Sequence, residues 1–105
     1  MGARPTPPYY AVIFKATRSE LEPEAYAAMQ QRMHALVRDQ PGFLGMDHLS
    51  DGRGAEMTVS YWDSEASIRA WKQNVEHFSA QRQGWEKWYS SYRVRVCRVE
   101  RDYEN

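Results

Sequence analysis

Apolar residues follow two different periods along the chain, and the change from one period to the other outlines six secondary-structure elements. A run of aromatic and β-branched residues over 9–16 predicts a strand that is buried on both faces. Strict alternation over 56–62 and 92–99, and a shorter apolar run over 43–49, predict three further strands. The glycine-containing turn at 50–54 joins two of these strands into a hairpin.

Two other stretches have the spacing of amphipathic helices with a single apolar stripe. The first begins in the acidic, proline-containing segment 19–24, ends at Pro41-Gly42 and carries Tyr26, Met29, Met33, Leu36 and Val37. The second begins at Asp63 or Ser64, and its stripe continues through Gln81 or Arg82 as Ile68, Trp71, Val75, Phe78, Trp85 and Trp88.

The resulting order, β-α-β-β-α-β, predicts an α+β protomer of the ferredoxin-like class with an antiparallel sheet. Because each helix has one apolar stripe, both helices should lie on one face of the sheet. We expect Phe14 and Tyr61, which share the apolar phase of their strands, to point towards these helices, and Trp62 to point away. The other face then remains too apolar for open water, and the sheet leaves exposed edges. A homodimer through the sheet face is therefore predicted.

Length, charge and cysteine content narrow the class of protein. A chain of 105 residues is one domain, with residues 1–8, three of them proline, as a flexible arm and 9–105 as the folded unit. Lys plus Arg and Asp plus Glu are 14 each, which argues against a nucleic-acid partner. The single cysteine, Cys97, excludes an internal disulfide and a cysteine-based zinc site. No apolar run approaches the roughly 18 residues of a membrane span, so we expect a cytoplasmic protein without a membrane partner.

Several blocks of residues, in this order and spacing, resemble the antibiotic biosynthesis monooxygenase family over residues 9–101. They are Pro41-Gly42-Phe43-Leu44-Gly45, Val59-Ser60-Tyr61-Trp62-Asp63-Ser64-Glu65, Ala70-Trp71, His77-Phe78, Ala80-Gln81 and Trp88-Tyr89. The resemblance implies the dimeric α+β barrel fold. It also implies one of several activities, since family members include oxygenases that convert anthrones to quinones without metal or flavin, haem-degrading enzymes and proteins of no known activity.

An oxygenase without a cofactor requires an electron-rich substrate, an apolar pocket, a proton acceptor and donors that stabilise the substrate anion. The candidate catalytic residues here are His77 as the base, with His48 as an alternative, together with Trp71 and Gln81. Tyr61, Arg93 and Arg95 are further candidate donors. The candidate substrate-binding residues for a small hydrophobic or aromatic substrate are Phe14, Tyr61, Trp62, Phe78 and Trp85.

Each candidate also has a purely structural interpretation. Trp71 and Phe78 fit a helix core, Trp62 and His48 fit a dimer interface, and His34 fits the surface. The strand arginines fit ion pairs with Glu56 or Asp63. A non-catalytic module that binds a hydrophobic ligand therefore stays open as an alternative function.

Cofactor sites are poorly supported. The three histidines have no metal-ligand spacing, and no glycine-rich loop opens a helix. Haem-degrading relatives use a helix Trp, a His ten residues later and a first-strand Asn; here Trp71 matches, Gln81 replaces the His, and the first strand has no Asn. We therefore expect no metal and no bound cofactor.

Overall fold

A computed structural model describes residues 5–78 and 87–105, with only the backbone described at 76–78. The elements follow the predicted order and are β1 (Tyr9–Arg18), α1 (Pro23–Arg38), β2 (Phe43–Ser50), β3 (Ala55–Trp62), α2 (Glu65–Phe78) and β4 (Tyr89–Val99). All strand pairs are antiparallel, and the spatial order is β2-β3-β1-β4. The ferredoxin-like prediction is confirmed.

Two strand boundaries differ from the prediction. β1 continues to Arg18 and β4 begins at Tyr89, because these segments pair with each other through Thr17–Ser91 and Arg18–Tyr89. Trp88 was predicted on the stripe of the second helix. Residues 87 and 88 are helical, directly before β4, and Trp88 is buried against Tyr26 of α1. The predicted continuation of α2 through Gln81 to Trp85 lies outside the described residues.

Helix α1 shows the predicted start and most of the predicted stripe. Pro23 stands in the first turn, where its missing N–H leaves no bond unmade, and Glu22 adopts a left-handed conformation just before it. Tyr26, Met29 and Val37 are buried, but Leu36 is 38% exposed. At this end of α1, Val37 therefore packs into the core and Leu36 does not.

Helix α2 is positioned by the segment that starts β2. The Ser64 hydroxyl accepts a hydrogen bond from the Ser67 backbone N–H at 3.1 Å, as expected for a helix cap. Gly42 has φ +84°, and a Cβ there would collide with the Ser67 and Asp63 side chains. The Asp63 N–H donates to the Gly42 carbonyl at 2.9 Å. Only glycine lets these two segments approach so closely.

Both helices pack on the same face of the sheet, here called the covered face. Its strand positions, grouped by the pairing register, are Tyr10, Val12, Phe14 and Ala16 of β1, Glu56, Thr58, Ser60 and Trp62 of β3, Met46 and His48 of β2, and Tyr92, Val94 and Val96 of β4. The opposite face, here called the open face, carries the alternate residues.

The expectation for β3 is wrong. Tyr61 pairs with Ala11 and points to the open face with Met57 and Val59, whereas Trp62 points to the helices. Trp62 is 0% exposed and packs with Val37 and Ile68, so one large ring outweighs three polar residues in deciding which phase of the strand is covered.

Candidate functional site

The covered face of β3 is polar in its middle, where a helix-covered strand is normally apolar. Glu56, Thr58 and Ser60 follow one another on this face, and each contacts a different partner. A polar group at such a position needs a hydrogen-bond partner, because burial without one is unfavourable. Their hydrogen-bond partners are Tyr26, His48 and Trp62 respectively.

Two histidines that are far apart in sequence meet next to this polar strand. His48 Nδ1 lies 2.8 Å from the Thr58 hydroxyl oxygen, and the ring of His34 on α1 lies 6.1 Å from the His48 ring, centroid to centroid. Burial, and then the nearby His48 and Arg38, lower the pKa of His34 below its usual value. A neutral imidazole is a proton acceptor, so this pair adds acid–base chemistry to the covered face.

The histidine pair corrects two assignments. His34, which the sequence places at the surface, is half-buried against the sheet, and His48, for which the structural alternative is the dimer interface, lies exposed on the helix side of the sheet. The available signal was the phase of His48, which it shares with Met46 on β2.

A second polar network joins α1 to the other end of the covered face. The Tyr26 hydroxyl donates to Glu56, and Gln30 Nε2 donates to the hydroxyls of Tyr26 at 2.6 Å and Tyr89 at 3.3 Å. Burial raises the pKa of both phenols, so they remain neutral donors. The Arg18 guanidinium lies 3.6 Å from the centroid of the Tyr26 ring, which is within cation–π range.

Aromatic rings cluster where α2 meets the sheet. Trp62 stacks on Trp71 at 6.3 Å between centroids with planes 27° apart, and Phe43 meets Trp62 edge-on at 5.4 Å. The Trp62 N–H donates to the Ser60 hydroxyl at 2.9 Å, which satisfies its one donor. Trp62 is fully buried, whereas Trp71 is only partly buried and retains an accessible surface.

The covered face is not completely covered at its β4 edge. Tyr92, Val94 and Val96 point to this side and remain 52%, 51% and 51% exposed. Phe14 of the neighbouring strand stacks on Tyr92 at 5.7 Å with planes 26° apart. These four residues, here called the apolar floor, offer a flat surface on which an aromatic ring can lie.

The structure brings together some of the predicted site residues and separates others. Phe14, Trp62 and Trp71 lie on or against the covered face. His77 and Phe78 belong to α2, but their side chains lie outside the described part, as do Gln81 and Trp85 entirely. The candidate donors Arg93 and Arg95 point to the open face. That register separates both of them from Glu56, the ion-pair partner considered above, which lies on the covered face.

Tyr61 is removed from the candidate pocket by its orientation. Its hydroxyl donates to Asp47 Oδ2 at 2.8 Å on the open face, and its ring meets Tyr9 edge-on at 6.0 Å. Burial and the Asp47 carboxylate raise the pKa of Tyr61 to about 12. A donor on this face cannot reach a substrate that lies between the sheet and the helices.

Two further features concern metal ligands and membrane-spanning helices. No three His, Cys, Asp or Glu side chains among them are grouped as metal ligands. In the same part of the chain, neither helix combines the length and apolar character required to cross a bilayer.

Comparison with known proteins identifies the family. The model of the antibiotic biosynthesis monooxygenase family matches residues 8–83. The chain belongs to this family. The uncharacterised protein YqjZ of Bacillus subtilis (strain 168) is 46% identical over 101 residues, covering 96% of this chain and 88% of that protein.

Solved structures share the fold at low sequence identity. SnoaB of Streptomyces nogalater, described as a cofactor-independent oxygenase, superposes with a TM-score of 0.71 at 16% identity, covering 93% of this chain and 99% of SnoaB. PA3566 of Pseudomonas aeruginosa gives a TM-score of 0.69 at 21% identity, covering 91% and 96%. At these identities the likeness shows the architecture alone.

Proposed function

We propose that this chain is a small-molecule monooxygenase that oxidises an aromatic or enolisable substrate with dioxygen, without metal or flavin. The observation that carries the proposal is the apolar floor, which leaves Phe14 and two half-exposed valines available to a planar ligand. Membership of the family and the likeness to SnoaB support the same class of reaction.

An anthrone is the substrate type that defines the chemistry most clearly. Its central CH₂ group loses two C–H bonds and gains a C=O, which is a four-electron oxidation. Dioxygen accepts these four electrons, and its O–O bond breaks to leave one oxygen in the quinone and the other in water. The substrate is its own reductant, so the protein must supply binding, a proton acceptor and anion stabilisation.

The residues divide between these tasks as follows. Phe14, Trp71 and the apolar floor hold the ring, with Phe78 and Trp85 as further apolar contacts and Trp62 as the support behind Trp71. His77 accepts the proton, and Gln81 donates a hydrogen bond to the resulting oxyanion. His48 is the alternative acceptor, because Thr58 fixes one of its nitrogens on the covered face.

Oxygen consumption with 1,8-dihydroxyanthrone tests the activity. We expect uptake above the rate of spontaneous oxidation, unchanged by EDTA and without a flavin absorption spectrum. Val94→Asp should reduce kcat/KM about tenfold or more, because it places a carboxylate beneath an apolar ring. Leu21→Asp, the same kind of change at a 54% exposed loop position, should leave the rate unchanged.

The same assay separates the alternatives. Comparison of His77→Asn with His48→Asn identifies the acceptor as the variant whose kcat falls while ligand binding persists. Binding of the anthrone with no uptake above the spontaneous rate would overturn the oxygenase proposal and favour a hydrophobic-ligand-binding module.

Assembly and location complete the proposal. The protein is a homodimer through the open face, residues 9–105 form one domain preceded by an arm at 1–8, and the site of action is the cytoplasm. Half-buried apolar residues on the open face, such as Met57 and Val59, support the dimer. The single cysteine fits a reducing compartment.

A further inference from the structure

One row of the covered face joins the apolar floor to the histidine pair. The strand register places Val94 of β4, Phe14 of β1, Thr58 of β3 and His48 of β2 side by side in this order. Phe14 and Val94 belong to the apolar floor. Thr58 stands one strand further, at a backbone spacing of about 4.8 Å. Along this row, the Thr58 hydroxyl is therefore the first polar group beside a ligand that lies on the floor.

Thr58 differs from the two other polar residues on this face of β3 in the chemistry of its partner. Glu56 bonds to a tyrosine hydroxyl, and Ser60 bonds to a tryptophan N–H. Neither of those partners titrates near neutral pH. The Thr58 hydroxyl oxygen lies 2.8 Å from His48 Nδ1, and imidazole does titrate in that range. Thr58 is therefore placed between the floor and a proton acceptor.

His48 combines a positioned ring with access to solvent. Thr58 contacts its Nδ1, and the His34 ring of α1 lies at 6.1 Å with its plane inclined by 65°. His48 is nevertheless exposed, because β2 is an edge strand of the sheet. Its ring can therefore exchange protons with water while one nitrogen remains directed at Thr58.

We propose that Thr58 and His48 form a relay that removes and returns the protons of the oxidation. With the imidazole proton on Nε2, Nδ1 accepts the Thr58 hydroxyl proton while the Thr58 oxygen takes the C–H proton of the substrate. The electron pair of that C–H bond stays on the substrate as the enolate, which reduces dioxygen. This inference rests on the proposed function, takes His48 from its two candidate acceptors and adds Thr58 as the group that contacts the substrate.

The relay ends the reaction in the state in which it begins. The first proton returns to the peroxide that forms when the substrate anion combines with dioxygen. The second C–H proton follows the same path as the C=O bond forms and the O–O bond breaks, and it returns to the departing hydroxide to give water. No proton is gained or lost overall, in agreement with the conversion of CH₂ and O₂ into C=O and H₂O.

Anaerobic hydrogen exchange separates the proton step from the oxygen step. The protein is mixed with 1,8-dihydroxyanthrone in D₂O under nitrogen, and the loss of the CH₂ signal is followed by proton NMR. The wild type should accelerate the exchange above the rate in buffer. Thr58→Val keeps the shape of the side chain but removes the hydroxyl, so it should slow the catalysed exchange about tenfold or more while changing the ligand Kd less than about threefold.

Two further variants give the controls for this measurement. Thr58→Ser restores a hydroxyl and should retain the wild-type rate to within about threefold. Thr17→Val is the same change at an exposed position on the open face of β1, and it should leave the rate unchanged.

Chemical rescue tests the role of His48. His48→Ala should slow the exchange about as much as Thr58→Val does. Imidazole added to the buffer should restore part of the rate in His48→Ala, because this position is open to solvent, and should not restore it in Thr58→Val.

Three results would overturn the relay while leaving the oxygenase proposal in place. They are wild-type exchange rates in Thr58→Val, equal losses in Thr58→Ser and Thr58→Val, and a loss in His48→Ala that imidazole does not reduce. Wild-type exchange no faster than in buffer would also overturn the relay, and oxygen uptake by the same protein would then favour His77 as the acceptor. Catalysed exchange without oxygen uptake would overturn the oxygenase proposal and support the relay.

Discussion

The two faces of the sheet distribute polar and apolar residues in opposite ways. The covered face places Glu56, Thr58 and Ser60 of β3 beneath a helix, and the open face presents Met57 and Val59 of the same strand. In a protomer that acted alone, the reverse arrangement would bury more apolar surface. The difference fits the proposed function, in which the covered face receives the helices and a substrate and the open face receives a second sheet.

The strand also shows which signal decides orientation. Counting apolar residues favours the phase of Tyr61, with three members against one. The volume and complete burial of Trp62, which stacks on Trp71 and meets Phe43 edge-on, favour the other phase. Where either face of a strand can be buried, the fit of a large ring against the helices determines which face they cover. The number of apolar residues on each face does not.

Removal of the largest ring on the covered face should have the largest effect on stability. Trp62→Ala leaves a cavity at a 0% exposed position and should lower the free energy of unfolding by about 3–5 kcal/mol. Denaturant titration at fixed protein concentration measures the loss. Leu21→Ala, at a 54% exposed position, is the control and should change stability by no more than about 0.5 kcal/mol. Equal losses in the two variants would contradict the assigned core.

Removal of one tyrosine hydroxyl on each side of the sheet compares how much a polar contact on each side contributes to stability. Tyr26→Phe removes the donor to the Glu56 carboxylate and the nearer of the two acceptors of Gln30, and should lower the free energy of unfolding by about 1–3 kcal/mol. Tyr61→Phe removes only the exposed hydrogen bond to Asp47 and should lower it by less than about 1 kcal/mol. Thermal and denaturant unfolding give both values, and a larger loss from Tyr61→Phe would reverse the comparison.

The smallest effect should come from the histidine pair and should depend on pH. The pKa of His34 is lowered in the folded state, so the unfolded chain binds the proton first as pH falls through its usual value of 6.5. The folded protein therefore loses stability as pH falls below about 6.5. His34→Gln removes this contribution. The wild type should lose more stability than the variant between pH 7 and pH 5, and parallel pH profiles would contradict the shift.

Much of the fold is predictable because each element carries its own local signal. Pro23 and the apolar stripe predict helix α1, and the glycine-containing turn predicts the β2–β3 hairpin. The strand ends at Arg18 and Tyr89 are different. They are extended because they pair with each other, and that pairing links residues 71 positions apart. Sequence periodicity alone does not contain such a contact.

The candidate site was less predictable, because its contacts join separate elements. His34 and His48 meet only after α1 packs on the sheet, and neither has a partner at a recognisable spacing in the sequence. The hydrogen bond that Tyr26 of α1 donates to Glu56 of β3 likewise joins a helix to a strand, across 30 positions of sequence. The aromatic residues were easier to identify, since ring size alone marks them as candidates for a core or a pocket.

The alternation of β3 has a consequence for how proteins of this kind can diversify. Neighbouring residues such as Ser60 and Tyr61 lie on opposite faces of the sheet. In the proposed dimer, Ser60 faces the substrate layer and Tyr61 faces the partner subunit. A substitution at an even-numbered position of β3 can alter ligand choice while the surface for assembly is inherited unchanged, and odd-numbered positions can do the converse. If the proposed function holds, one eight-residue strand lets selection act on chemistry and on quaternary structure as separate traits.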